Sequence, residues 1–361
     1  MPGIYISYPF CAQKCTYCNF ASGVSPREVE LEYHAKLLRE IAAHTWQWTP
    51  NTVYLGGGTP SSMDPAALRE ILEALPGRPW AECTIEGAPG TITPEKAAAW
   101  AALGVNRVSL GVQSFAEREL RQTGRKHRAD TVARDVLTLR SAGIPNLNLD
   151  LIAGLPYQTE ESWRESLEWV ALLDPPHVSV YMLEIDVDSN LGLEILTEGS
   201  RFGATHAPSE DLTVALYEKA VDFLATYGIH RYEISNFAKS GFQSVHNLKY
   251  WRREPYVGFG SDAHSFDGVY RWQNLETAEE YCAIENPRGQ KTEAHPGEEK
   301  FILGLRLREG VAPDERDWEA YGAAIRRFIH TGLLEEAGPV IRLTPRGVLL
   351  SNEVFQEFLD T

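Results

Sequence analysis

The sequence is short of the features that define several large protein classes. Only five cysteines occur in 361 residues, far too few for a disulfide framework, and three of them crowd into one stretch near the start. No run approaches the roughly 18 apolar residues of a membrane-spanning helix, which predicts no integral membrane segment. The opening "MPGIYISYPF" lacks a basic n-region and a small-residue cleavage site, so no signal peptide is expected. Excess basic charge is missing too: the net charge is −16, a field that repels phosphate backbones and argues against nucleic acid as a partner. There is no low-complexity tract and no repeat at a solenoid period. Reduced thiols and an ordinary globular composition, 43% hydrophobic and 23% charged, predict a cytoplasmic protein.

What is present begins with a βα rhythm. Strand patterns read as "GIYISY", "NTVYLGG", "CTIEGA", "RVSLGVQ", "NLNLDLIAG" and "HVSVYML". Helical patterns fill the gaps: Leu31, Ala35, Leu38 and Ala42 recur at helical spacing, and Pro65 and Pro94 open two further helices. Six such units without hairpin signals predict an α/β fold with a parallel sheet, curved into a partial (β/α)6 TIM-like barrel; a flat doubly wound sheet is the alternative. Residues 1–185 form this unit. Residues 186–294 read as a less regular extension with one helix near Asp211–Tyr227, and residues 295–361 as a smaller α+β, winged-helix-like region. The acidic balance of that last region favours structural packing or a protein contact over DNA.

The crowded cysteines are Cys11, Cys15 and Cys18, in "CAQKCTYCNF" directly after the first strand, at the end where α/β barrels place their chemistry. Iron–sulfur cubes are held by thiolates, and three local ligands leave one iron open. Zinc is the competing reading, but its usual second ligand pair is absent. Other chemistry-bearing residues fall at or just past strand ends. Gly56-Gly57-Gly58-Thr59-Pro60 ends the second strand, Glu86 the third and Gln113 the fourth; Arg125 lies just beyond, Asp150 in the fifth and Tyr5 in the first.

This pattern resembles the radical S-adenosylmethionine (SAM) superfamily. Over nearly the whole chain, "YISYPFCAQKCTYCNF", "YLGGGTPS", "RVSLGVQSF", "GRKH", "DLIAGLP", "HNLKYW" and "LTPRGVLLSN" resemble the oxygen-independent coproporphyrinogen III oxidase-like family, most of all its HemW-type haem-chaperone branch. The resemblance implies a [4Fe-4S] cluster on Cys11, Cys15 and Cys18. It implies SAM contacts from Tyr5, Gly57, Gly58, Thr59, Glu86, Gln113, Arg125 and Asp150. Within that set Arg125 suits the methionyl carboxylate, and Glu86 and Asp150 suit an amino group or ribose hydroxyls.

Two features favour the chaperone branch over the true coproporphyrinogen dehydrogenases. Phe20 stands where dehydrogenases carry a further cysteine, and little chain precedes Cys11. His246-Asn247-x-x-Tyr250-Trp251 matches a motif associated with haem in that branch. Imidazole is a good axial ligand, and Tyr250 and Trp251 offer flat apolar area to a porphyrin. The alternative is that His246-Asn247 caps a helix whose aromatics are core; His264 is a second ligand candidate. Ser7 and Tyr8 replace a histidine common among relatives, and Gly87-Ala88 replaces a residue pair near the SAM pocket. Cys83 and Cys282 read as buried small side chains. The expected function is haem binding and delivery to an apo-haemoprotein, with a one-electron donor for the cluster and, as an alternative without any visible anchor, a peripheral membrane contact. Oxidative decarboxylation of coproporphyrinogen III and modification of the haem ring are the rival activities.

Overall fold

The computed structural model describes residues 1–359. All six expected strands form: β1 (Gly3–Tyr8), β2 (Thr52–Gly57), β3 (Glu82–Gly87), β4 (Arg107–Gln113), β5 (Asn146–Ala153) and β6 (His177–Met182). They lie side by side in chain order and pair in parallel throughout. Each is followed by a helix, as the right-handed crossover of parallel strands requires.

The middle segment adds strands to both edges of this sheet. β7 (His230–Arg231) and β8 (Asn236–Ala238) extend it beyond β6, with β8 antiparallel to β6. β9 (Tyr256–Phe259) pairs in parallel with β1 on the opposite edge, followed by β10 (His264–Phe266), β11 (Tyr270–Gln273) and β12 (Thr292–Glu293). The result is one twelve-stranded sheet whose ends, β12 and β7, do not join. The barrel is therefore partial, as its six-unit length implied.

Alternation along the strands sets the two faces. Val108, Leu110 and Val112 of β4 are fully buried among the helices, as are Leu147, Leu149 and Leu151 of β5. The residues between them, Arg107, Ser109, Gly111, Asn148 and Asp150, line a cavity on the concave side. A parallel sheet buried on both faces is usually apolar on both; here the concave face is polar because it surrounds a site.

One helix uses a different face from the expected one. In Arg27–Ala43 the core side chains are Tyr33, Leu37 and Ile41, while Leu31 is 55% exposed and Ala35 and Ala42 are exposed. The inward stripe also carries Lys36 and Glu40, which an apolar count discards. Glu40 accepts from Gly260 N (3.0 Å), Asn274 Nδ2 (2.9 Å) and Tyr281 Oη (2.7 Å), and Lys36 donates to the Glu285 carbonyl (2.7 Å). Both charges thus tie the helix to the strands added beside β1.

The last region contains a helix at Glu315–His330, an antiparallel hairpin of β13 (Leu334–Ala337) and β14 (Val340–Leu343), and two short helices. It abuts the middle segment where Arg306 stacks 4.3 Å over the Trp251 ring. Among the described residues, no helix is long and apolar enough to cross a membrane.

Candidate functional site

The cysteine loop closes at its neck. Cys11 N donates to Gly23 O (2.8 Å) and Gly23 N to Pro9 O (2.9 Å). Neighbouring loops pin its tip: Thr16 N donates to Thr123 O (3.3 Å), and Leu191 N donates to Thr16 O (2.7 Å). Cys11, Cys15 and Cys18 are half-buried free thiols facing one cavity of about 420 Å³. Burial raises the Cys11 thiol above its ordinary range. Among the described residues, no three His, Cys, Asp or Glu side chains stand close enough to hold a single ion. Three free thiols facing one cavity fit a cluster in which each thiolate takes its own iron.

The turn after β2 passes directly against this loop. A Cβ at Gly58 would lie 2.6 Å from the Phe10 carbonyl oxygen, so only glycine fits. Gly57 takes φ +108° and donates its N–H to Glu86 Oε2 at 3.1 Å. Thr59 lines the cavity beside them. Glu86 also accepts from Tyr54 Oη (2.9 Å); burial, opposed by that hydrogen bond and reinforced by Asp150, raises its carboxyl to about 7. Asp150, likewise raised by burial, accepts from Ser109 Oγ (3.0 Å) and Asn148 Nδ2 (2.7 Å).

Gln113 ends β4 at φ 69°, where the register against β5 shifts by a bulge. A left-handed glutamine is a strained conformation, and bulges of this kind re-aim side chains beside functional sites. Arg125 donates from Nε (3.2 Å) and Nη2 (3.0 Å) to Tyr17 Oη, a residue between Cys15 and Cys18. Gly111 leaves room for both: a Cβ there would meet Gln113 Nε2 at 3.0 Å and Arg125 Nη2 at 3.5 Å. Gly57, Gly58, Thr59, Glu86, Gln113, Arg125 and Asp150 thus converge on the cysteine cavity. Tyr5 stands behind them, stacked on Tyr54 at 6.1 Å and packed against Gly56.

The haem motif lies elsewhere. His246 sits in the helix Val245–Trp251 and is 0% exposed. Its Nδ1 meets Thr52 Oγ1 at 2.9 Å, its Nε2 meets Tyr250 Oη at 2.7 Å, and its ring stacks on Tyr54. Burial, with Lys249 and Arg107 nearby, lowers its pKa to about 3. Both nitrogens are committed, so in this conformation His246 is not free to ligate iron. Thr52 and Glu82 open β2 and β3, which places this helix across the N-terminal ends of the strands, opposite the cysteine loop. Trp251 faces Arg306 with its indole N–H buried and unpaired. His264 is exposed on β10, Cys83 is buried and Cys282 half-buried.

Sequence reasoning missed Tyr17, Tyr54, Arg107, Asn148 and Tyr181, all lining the cavity, and placed Asn247 only in the haem motif although it lines the cavity as well. For those on strands the signal was the period-2 alternation: Arg107, Ser109, Gly111 and Gln113 share one face of a strand whose other face is entirely apolar.

Fold and cysteine loop together define the radical SAM class: residues 5–170 match the Radical SAM superfamily, and residues 292–350 the HemN C-terminal domain. The fold superposes on coproporphyrinogen III oxidase (HemN) from Escherichia coli with a TM-score of 0.84 at 21% identity, covering 99% of this chain and 90% of that one. The heme chaperone HemW of Bacillus subtilis is 33% identical over 99% of each chain. HemW of Escherichia coli K12 is 32% identical over 99% of this chain and 97% of its own. A mouse mitochondrial protein, radical S-adenosyl methionine domain-containing protein 1, is 32% identical over 92% of this chain and 81% of its own. The chain belongs to the HemW heme chaperone family.

Proposed function

We propose that this protein binds haem and delivers it to an apo-haemoprotein, while Cys11, Cys15 and Cys18 hold a [4Fe-4S] cluster and the strand ends above them hold SAM. The observation that carries the reading is similarity to haem chaperones along the whole length of both chains, not only across the barrel. The site chemistry supports the cofactors. Arg125 supplies a guanidinium fork for a carboxylate, and Glu86 and Asp150 supply acceptors for an amino group or hydroxyls. When bound, the cluster and SAM supply one-electron chemistry, for which a reduced compartment such as the cytoplasm and a one-electron donor are required.

The haem site is a separate matter from the cofactor site. His246 would have to release both Thr52 and Tyr250 to reach iron, so we assign it in this conformation the role of a brace. The test is an anaerobic haem titration of cluster-loaded protein, followed by transfer to an apo-haemoprotein, with His246→Ala alongside. Failure of the wild type to bind or transfer haem would sink the chaperone reading. Decarboxylation of coproporphyrinogen III with SAM and reductant would replace it with the dehydrogenase. Unchanged haem affinity in His246→Ala would confirm that the iron ligand lies elsewhere.

A further inference from the structure

The cavity contains a cation that none of the cofactor assignments uses. Arg107 opens β4 and points to the concave side, where its side chain lines the cavity although the residue is only 2% exposed. About 20 Å of strand separates its backbone from Gln113 at the cysteine end. Its Nε is buried without a partner, and no hydrogen bond or ion pair reaches its guanidinium among the described residues. The residues beside it in the register, Thr84 and Asn146, also each bury an unpaired oxygen.

A buried guanidinium without a hydrogen-bonded anion is costly, because its desolvation is not offset. Two acids of the same cavity, Glu86 and Asp150, feel its charge but form no ion pair with it. Glu86 is engaged with Tyr54 and Gly57, and Asp150 with Ser109 and Asn148. Burial also holds both acids toward their neutral forms, whereas a guanidinium stays charged. Neutral amides, Asn148, Asn236 and Asn247, line the same cavity.

We propose that Arg107 is the cation of an anion subsite at the inner end of the cavity, taking a carboxylate of the ligand whose body lies between it and the cysteine loop. SAM's single carboxylate is assigned to Arg125 at the cysteine end, so the ligand is haem, through a propionate, and the subsite rests on the haem reading above.

The experiment compares wild type with Arg107→Met, and with Arg107→Lys, which keeps the charge but not the fork and serves also if the methionine variant does not fold. Three probes are titrated into full-length, cluster-loaded protein: haem, haem dimethyl ester and SAM. Loss of one charge-assisted bidentate contact weakens binding about 10- to 100-fold in Arg107→Met, with partial recovery in Arg107→Lys. A loss confined to haem, with the dimethyl ester binding both proteins alike, assigns the propionate; a loss confined to SAM overturns that assignment. Unchanged affinity for haem and SAM overturns the subsite, as does an equal loss for haem and its ester with SAM unaffected. Wild type that never binds haem refutes the chaperone reading, whereas wild type that binds haem with an affinity independent of Arg107 refutes the subsite alone. Wild type that binds neither ligand removes both.

Discussion

The two ends of the strands are built from the same alternating pattern and do opposite work. At the C-terminal ends, polar side chains point into open space: the three thiols are half-buried, Gln113 is held in a strained backbone, and Arg125 has Tyr17 as its one hydrogen-bond partner among the described residues. At the N-terminal ends, polar side chains are saturated. Glu82 accepts from Ser244 Oγ (3.2 Å), Val245 N (2.9 Å) and His246 N (2.9 Å), anchoring the start of the plugging helix. His246 spends both nitrogens in the same place. Polar groups left unpaired at one mouth favour ligands, and polar groups fully paired at the other hold the fold together. The exception is Arg107 with its register neighbours Thr84 and Asn146, unpaired groups rooted at an otherwise saturated end.

The comparison is broken most sharply by removing one group from each mouth. Cys15→Ala is expected to abolish iron and sulfide binding after anaerobic reconstitution while leaving the apo-protein's thermal midpoint within about 2 °C, since the half-buried thiol makes only a weak hydrogen bond, with Tyr17. Full iron loading, or a large loss of stability, would contradict it. His246→Ala is expected to act in reverse. It deletes a buried ring and strands Thr52 and Tyr250, costing about 2–4 kcal/mol in denaturant unfolding with iron content unchanged. An undiminished midpoint would show that the helix is not braced through this residue. Glu82→Gln keeps the shape but removes the charge facing three donors, and about 1–2 kcal/mol is expected. A loss equal to that of His246→Ala would instead mean that the whole helix detaches.

The contrast between the mouths also explains what the sequence revealed. Strands β1 to β6 were legible because their helix-facing rows, such as Val108-Leu110-Val112, alternate with polar residues over whole segments. The cysteine loop and its glycines were legible because spacing within a single loop fixes local geometry. His246 was not placed by its motif, because a histidine one turn before a tyrosine reads equally as a ligand pair or as a hydrogen-bonded brace. Only the register, which brings Thr52 of β2 against the ring, decides between them here. The face of Arg27–Ala43 was misread for a related reason: Lys36 and Glu40 point inward to groups more than 200 residues away, and local periodicity carries no record of such partners.

The smallest effect comes from protons and again separates the two ends. His246, lowered to about 3, and His177, held well below its ordinary value by burial and Arg107, are both neutral in the folded chain. In the unfolded chain they titrate near 6.5, so below that pH the unfolded state binds more protons and stability falls. Their contribution is fully present above pH 6.5 and declines by roughly 1 kcal/mol per histidine per pH unit on acidification. Glu86 at the other mouth has the opposite sign. Its folded carboxyl is raised to about 7, so its contribution is largest below about 4.5 and disappears as pH rises through 7. Denaturant midpoints measured from pH 7.5 to 5.5 should therefore fall in wild type, fall less in His246→Ala relative to its own starting point, and fall more steeply in Glu86→Gln. A wild-type midpoint that rises on acidification would mean that the acids of the open mouth, rather than the histidines of the closed one, govern the pH dependence of the fold.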